Sequence, residues 1–140
     1  MGHAFRAILT GSRDYDDREL VNHTVALLAK TAEQQGRKLV VVHGACPTGA
    51  DKYAHDAAVA LGVGEESHPA AFAELGPSAG PRRNAEMARA GAEVCLAFCH
   101  TLTRGTASMI SEATRARIPV FIVQPSLPLR EIVFALMHPR

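Results

Sequence analysis

The 140-residue chain is 47% hydrophobic and sets 15 basic against 14 acidic side chains, a formal charge of +1. That length sustains one domain around one core and is too short for two ordinary ones. The balance of charge excludes an overall basic field of the kind that draws duplex nucleic acid or an anionic membrane surface, so any anion site must be local.

In chain order, "FRAIL" (5–9) and "KLVVVH" (38–43) are short aliphatic runs that end at glycine-bearing loops, as buried parallel strands do. Between them, residues 17–35 set Leu20, Val21, Val25, Leu28 and Ala32 on one side, which predicts an amphipathic crossover helix stopped by Gly36. Residues 49–61 carry a narrow stripe of Ala50, Ala54, Ala57, Ala58 and Leu61 with Gly62 at the expected cap, a helix suited to close packing on a sheet. A short strand is expected near 66–68, then a long Pro/Gly/Ala-rich loop over a site. Pro81 suits the first position of a third helix that Gly91 ends. "EVCLAF" (93–98) and "PVFIV" (119–123) are further strands, with a helix at 105–116 between them and a last helix near 129–137. Strand and helix alternate throughout, which predicts an α/β fold: a Rossmann-like three-layer α/β/α sandwich with a mostly parallel sheet, as one domain over residues 1–140.

In such a sheet ligands bind beyond the carboxyl ends of the strands. Those ends are loaded. After the first strand, Gly11 allows close backbone approach, Ser12 offers a hydroxyl and an N–H, and Arg13 offers a planar cation for phosphate; an ordinary turn capped by Asp14 or Asp16 is the plainer reading. After the second, Gly44, Ala45 and Gly49 belong to a loop, and Asp51 stands in the first turn of the helix, where it either opposes the helix dipole or holds a ribose hydroxyl. The loop is not a Walker loop, because Ala50-Asp51 stands where Lys-Ser/Thr belongs, nor is it a G-x-G-x-x-G fingerprint. In "SAGPRRNAEM", Gly80, Arg82, Arg83 and Asn84 open a helix whose unpaired N–H groups already attract anions. Gly105 and Thr106 open the next, Thr106 as cap or phosphate donor. Four loops with anion-binding groups at one sheet edge point to a phosphate-bearing small ligand.

Cys46, Cys95 and Cys99 make no even disulfide framework, and the first residues lack the apolar core of a secretory signal. No apolar run approaches the ~20 residues of a membrane helix, so the expectation is a soluble, cytoplasmic protein with no membrane partner. Cys95, Cys99 and His100 lack a second ligand pair with matching spacing, and no metal or other cofactor is expected. Cys46 has no evident base beside it and reads as a small loop residue. His43 and His55 are candidate proton carriers, and Tyr53 and Phe72 can stack on a base or simply pack.

Taken in order, "GSRDYDD", "HGACPTGADKYAHDAA", "AGPRRNAEM" and "GTASMISEATRARIPV" resemble the YspA/YpsA-related branch of the SLOG superfamily over residues 6–123. The resemblance implies a Rossmann-like domain that binds a nucleotide-derived ligand such as a nucleotide or ADP-ribose, as a sensor or sequestering protein, with "PRRN" as the phosphate and ribose clamp. It also implies a homo-oligomer. The same superfamily holds the LOG phosphoribohydrolases, with motifs P-R-K-x-x-M and P-G-G-x-G-T-x-x-E. Here Arg82 takes the arginine position of the first and Met87 falls one place late; Met109 stands where the second has glutamate, with Glu112 one turn further on. The alternative this implies is a nucleoside 5'-monophosphate N-glycosidase using Arg82 and Glu112. "GSR", "GADKYAHDAAVAL" and "RRN" also resemble DNA-processing protein A, a single-strand DNA loader, but the chain has no tryptophan, 5% aromatic residues and balanced charge, which speaks against nucleic acid as a partner.

Overall fold

In a computed structural model that describes residues 3–126 and 128–138, five strands form one parallel sheet in the order β3-β2-β1-β4-β5. They are β1 (Phe5–Gly11), β2 (Leu39–His43), β3 (Gly64–Ser67), β4 (Val94–Phe98) and β5 (Val120–Ile122). The helices are α1 (Arg18–Gln34), α2 (Gly49–Leu61), α3 (Phe72–Leu75), α4 (Ala79–Ala90), α5 (Arg104–Arg115) and α6 (Leu129–Met137). This is the Rossmann-like α/β/α sandwich that the alternation of elements predicts. No helix of the described residues is long and apolar enough to cross a membrane.

A parallel sheet must be covered on both faces, and the strand side chains divide accordingly. Phe5, Ala7 and Leu9 of β1, with Val41 of β2 and Leu96 and Phe98 of β4, pack against Val25 and Leu28 of α1, the alanines of α2 and Ile132 of α6. Ile8, Val42 and Cys95 face the other way, onto Met87 of α4 and Met109 and Ala113 of α5. Each large apolar side chain so buried contributes about 1.5–3 kcal/mol, which makes β1 and β4 the anchor of the molecule. The alanine stripe of α2 leaves no bulk between that helix and the strands below it.

The helix limits follow local chemistry. Asp17, one residue beyond the Asp16 of the plainer reading, caps α1 by accepting the N–H of Leu20 at 3.1 Å. Gly62 ends α2 in the left-handed conformation at φ +68°. Three expectations shift. The edge strand β3 starts at Gly64 rather than at 66, because its register on β2 pairs Gly64 with Val40 and Ser67 with His43. The long loop before α4 contains α3 and a 3-10 turn over Gly76–Ser78. That turn runs into α4 at Ala79, so Pro81 is the third residue of the helix; its missing N–H is harmless there because the first turn has no intrahelical acceptor.

The first two crossovers run one way along the sheet, and the long segment after β3 then returns to the other side of β1. The chain direction therefore reverses between β1 and β4, whose carboxyl ends form the switch-point crevice.

Candidate functional site

At that crevice Gly11 ends β1 in register with Phe98. The N–H of Ser12 donates to the Phe98 carbonyl at 3.2 Å, and the Ser12 carbonyl accepts from Tyr15 (3.2 Å) and Ala50 (3.3 Å). At 4% exposure, Ser12 is a joint between the β1 loop and α2 rather than an open hydroxyl. Gly49 permits the joint: its φ is +73°, and a β-carbon there would overlap the Ser12 carbonyl. Arg13 points outward, its guanidinium 6.0 Å from the ring of Phe72, while its carbonyl accepts the Thr48 hydroxyl at 3.0 Å.

Arg83 turns inward. Its Nη1 donates to the carbonyls of Gly44 (2.6 Å) and His68 (3.3 Å), and its Nε donates to Asn84 Oδ1 at 2.8 Å. It thereby ties the ends of β2 and β3 to α4. Burial lowers its pKa, against the opposing pull of Asp51 and Cys46. Asp51 is 8% exposed, and its Oδ2 accepts the N–H of Cys46 at 3.1 Å, which orders the loop containing Ala45. Burial pushes the Asp51 carboxyl above its ordinary value, opposed by the Cys46 N–H and by His43 and Arg83 nearby.

Asn84 is buried and donates to the Gly105 carbonyl (3.4 Å) and the Ser108 hydroxyl (3.2 Å), locking the starts of α4 and α5 together. Thr103, not Thr106, caps α5, accepting the Thr106 N–H at 3.4 Å. The Thr106 hydroxyl is enclosed, 3.0 Å from that of Thr103. Gly80 lies under the Phe72 ring, and Gly105 faces open space. Arg82 and Arg104 are exposed and make no hydrogen bond or ion pair among the described residues. The site residues of the sequence thus divide into an inner group that builds the edge (Ser12, Gly44, Gly49, Asp51, Arg83, Asn84, Thr106) and an outer group that faces solvent (Arg13, Arg82, Gly105), with Gly11, Ala45 and Gly80 half-buried between them.

Glu112 is not brought to this edge. It lies two turns down α5, about 12 Å from Arg104 along the axis, and pairs with Arg115 at 3.5 Å. Tyr53 packs under the Arg18 guanidinium, 4.4 Å from its ring centre, and so is a packing residue, while Phe72 remains 46% exposed. Cys95 is in the core, its thiol pushed up to about 12 by burial. His100 instead stacks on Tyr15 and meets Asp16 Oδ1 at 2.7 Å, so Cys95, Cys99 and His100 do not converge.

A second group does converge. Oε2 of Glu65 receives His43 Nε2 at 2.5 Å and His55 Nδ1 at 2.6 Å, beside a cleft of about 380 Å³. Sequence reading finds both histidines and misses Glu65, because only the register of β3 on β2 sets it opposite Val41, two residues before His43. Two histidines and a carboxylate can hold a metal in principle. Here the Ala45 N–H donates to His43 Nδ1 at 3.0 Å, so the ring proton sits on Nε2, the atom a metal would need. The N···O separations are also those of hydrogen bonds, against about 3.3 Å between ligand atoms around a tetrahedral zinc. Burial pushes the Glu65 carboxyl up, but the bonds from His43 and His55 outweigh it and hold the group below its ordinary value.

A doubly wound parallel sheet with an arginine-rich carboxyl edge defines the class, a Rossmann-like α/β protein. The chain is 41% identical over 120 residues to the Gene 61 protein of Mycobacterium phage D29, a match covering 82% of this chain and 93% of that protein. It belongs to the family of that phage protein. No protein-family profile matches the chain, and no solved structure gives a significant match.

Proposed function

We propose that this protein binds a nucleotide-derived, phosphate-bearing ligand at the carboxyl edge of its sheet, as a sensor or sequestering protein of the SLOG type. The observation that carries the reading is the set of guanidinium groups on Arg13, Arg82 and Arg104, which stand on three segments flanking the switch point with no carboxylate partner among the described residues. A cation without a partner beside helix N-termini is an anion receptor in waiting. The ordered SLOG-like motifs support the same reading, since they place Arg13 and Arg82 in the segments that the resemblance assigns to the ligand. The exposed ring of Phe72, between Arg13 and Gly80, suits stacking on a base.

Calorimetry and thermal-shift measurements with AMP, ADP, ADP-ribose and NAD test it. A ligand at a hundredfold excess over its dissociation constant stabilises the folded state by about 2.7 kcal/mol, an easily read rise in midpoint. No response to any of the four refutes the reading. Chromatography of the same mixtures for free base tests the glycosidase alternative, for which Glu112 lies far from the edge.

A further inference from the structure

We propose that the cleft beside His43 is a ribose subsite in which Glu65 accepts the vicinal hydroxyls of the ligand. The inference rests on the nucleotide reading above. The cleft measures about 380 Å³ and is walled by Ala45, Cys46, Asp51, His55, Glu65 and Ser67, within the range of small-molecule pockets. It adjoins the loop before α2, whose Thr48 hydroxyl bonds the backbone carbonyl of Arg13, so the loop that walls the cleft also borders the segment bearing that arginine.

A ribosyl group presents hydroxyl donors, and the cleft has two carboxylates to receive them. Asp51 is the less accessible of the two: it is 8% exposed, and its Oδ2 accepts the Cys46 N–H that orders the loop. Glu65 is available. Its Oε2 is held from two sides, by His43 at the end of β2 and by His55 on α2, while no described hydrogen bond reaches Oε1. His43 is itself oriented by the Ala45 N–H, so the chain of bonds runs from backbone to ring to carboxylate and leaves one charged oxygen fixed beside open space. A preset anion accepting hydroxyl protons is a strong, directional contact that needs no reorganisation on binding. His43 and His55 are then positioning residues, acting through Glu65.

The test compares ADP with 2',3'-dideoxy-ADP by calorimetry on the full chain, wild type and Glu65→Gln, with the thermal midpoint of each variant recorded. The wild type is expected to prefer ADP by about tenfold to a hundredfold, the range for hydrogen bonds to a charged group. Glu65→Gln should cut that preference severalfold by weakening ADP alone, because a neutral amide oxygen accepts hydroxyl protons more weakly than a carboxylate. His55→Asn, at a half-exposed position, should narrow it. Equal affinity of the wild type for both nucleotides, or a preference undiminished in Glu65→Gln, overturns the subsite and leaves the nucleotide reading standing. Failure of the wild type to bind either overturns both. Stoichiometric uptake of zinc that Glu65→Gln removes would make the cluster a metal site and overturn the proposal.

Discussion

The guanidinium of Arg83 fills the space that a β-carbon on Gly44 would occupy, with Nη1 donating to the Gly44 carbonyl at 2.6 Å. A side chain at residue 44 must therefore displace the end of the arginine side chain and disturb the Nη1 bonds to Gly44 and His68. Gly44→Ala should cost about 1–3 kcal/mol, in the range for a disrupted buried network. Arg83→Ala should cost a similar amount, and the double variant less than the sum, because both changes remove the same contacts. Denaturant melts of the four proteins give the cycle; strict additivity would mean that the two residues act independently.

Arg13 and Arg82 are predicted to behave in the opposite way. Both are exposed and neither carries an ion pair among the described residues, so Arg13→Ala and Arg82→Ala should leave stability within about 0.5 kcal/mol of the wild type. Each should weaken a phosphate-bearing ligand by about tenfold or more, the loss of a charged hydrogen bond. Calorimetry beside thermal melts separates the two effects. An Arg82→Ala protein that melts early would show that the residue belongs to the inner group.

Glu66 gives the fold a pH dependence of definite sign. Its carboxylate accepts both Arg6 Nη1 (2.7 Å) and Nη2 (2.8 Å) and also meets His68 Nε2 at 2.6 Å. The Arg6 hydrogen bonds, then that of His68, hold it down to about 2 from the ordinary 4.5. A depressed carboxyl binds fewer protons folded than unfolded, so its stabilisation is complete above pH 4.5 and is lost as pH falls toward 2. The carboxylate is more than a third exposed, and solvent screening reduces the effect to about 1 kcal/mol. Urea melts at stepped pH should show the wild type losing that increment while Glu66→Gln shows a flatter profile; parallel curves would remove Glu66 as the cause.

The cysteines should react in order of exposure. Cys46 is half-buried in the β2 loop, whereas burial raises the Cys99 thiol and pushes Cys95 up to about 12. Native protein treated with a chromogenic disulfide reagent should modify Cys46 first and leave Cys95 intact until unfolding, since the thiolate is the reactive form. Peptide mapping identifies the site. Early labelling of Cys95 would mean that β4 opens readily.

What was readable in the sequence was whatever local chemistry decides. The strands at 5–9, 38–43 and 93–98 announce themselves because strands buried on both faces read as apolar runs, and the run at 119–123 is as apolar although it forms a partly exposed edge strand. The C-terminal ends of α1 and α2 follow from Gly36 and Gly62, while the cap of α1 is Asp17 rather than Asp14 or Asp16. Because strands and crossover helices alternate, the same local signals also establish that the loops bearing Arg13, Asp51, Arg82 and Gly105 gather at one edge of one sheet.

Tertiary structure alone decided what those residues face. Arg82 and Arg83 are adjacent in sequence, yet successive helix positions point about 100° apart, so one reaches solvent and the other reaches back to Gly44. Glu112 differs, because the rise of its own helix already carries it toward the opposite end of the sheet and onto Arg115, three residues on. Glu65 meets His43 and His55 only because a four-residue edge strand pairs with β2 in one register, and a slip of one residue would turn Glu65 to the other face. Local propensity acts over a turn of helix or a pair of strand residues, whereas the placements of Arg83 and Glu65 depend on contacts between segments 10 to 39 residues apart, which exist only once the sheet is assembled.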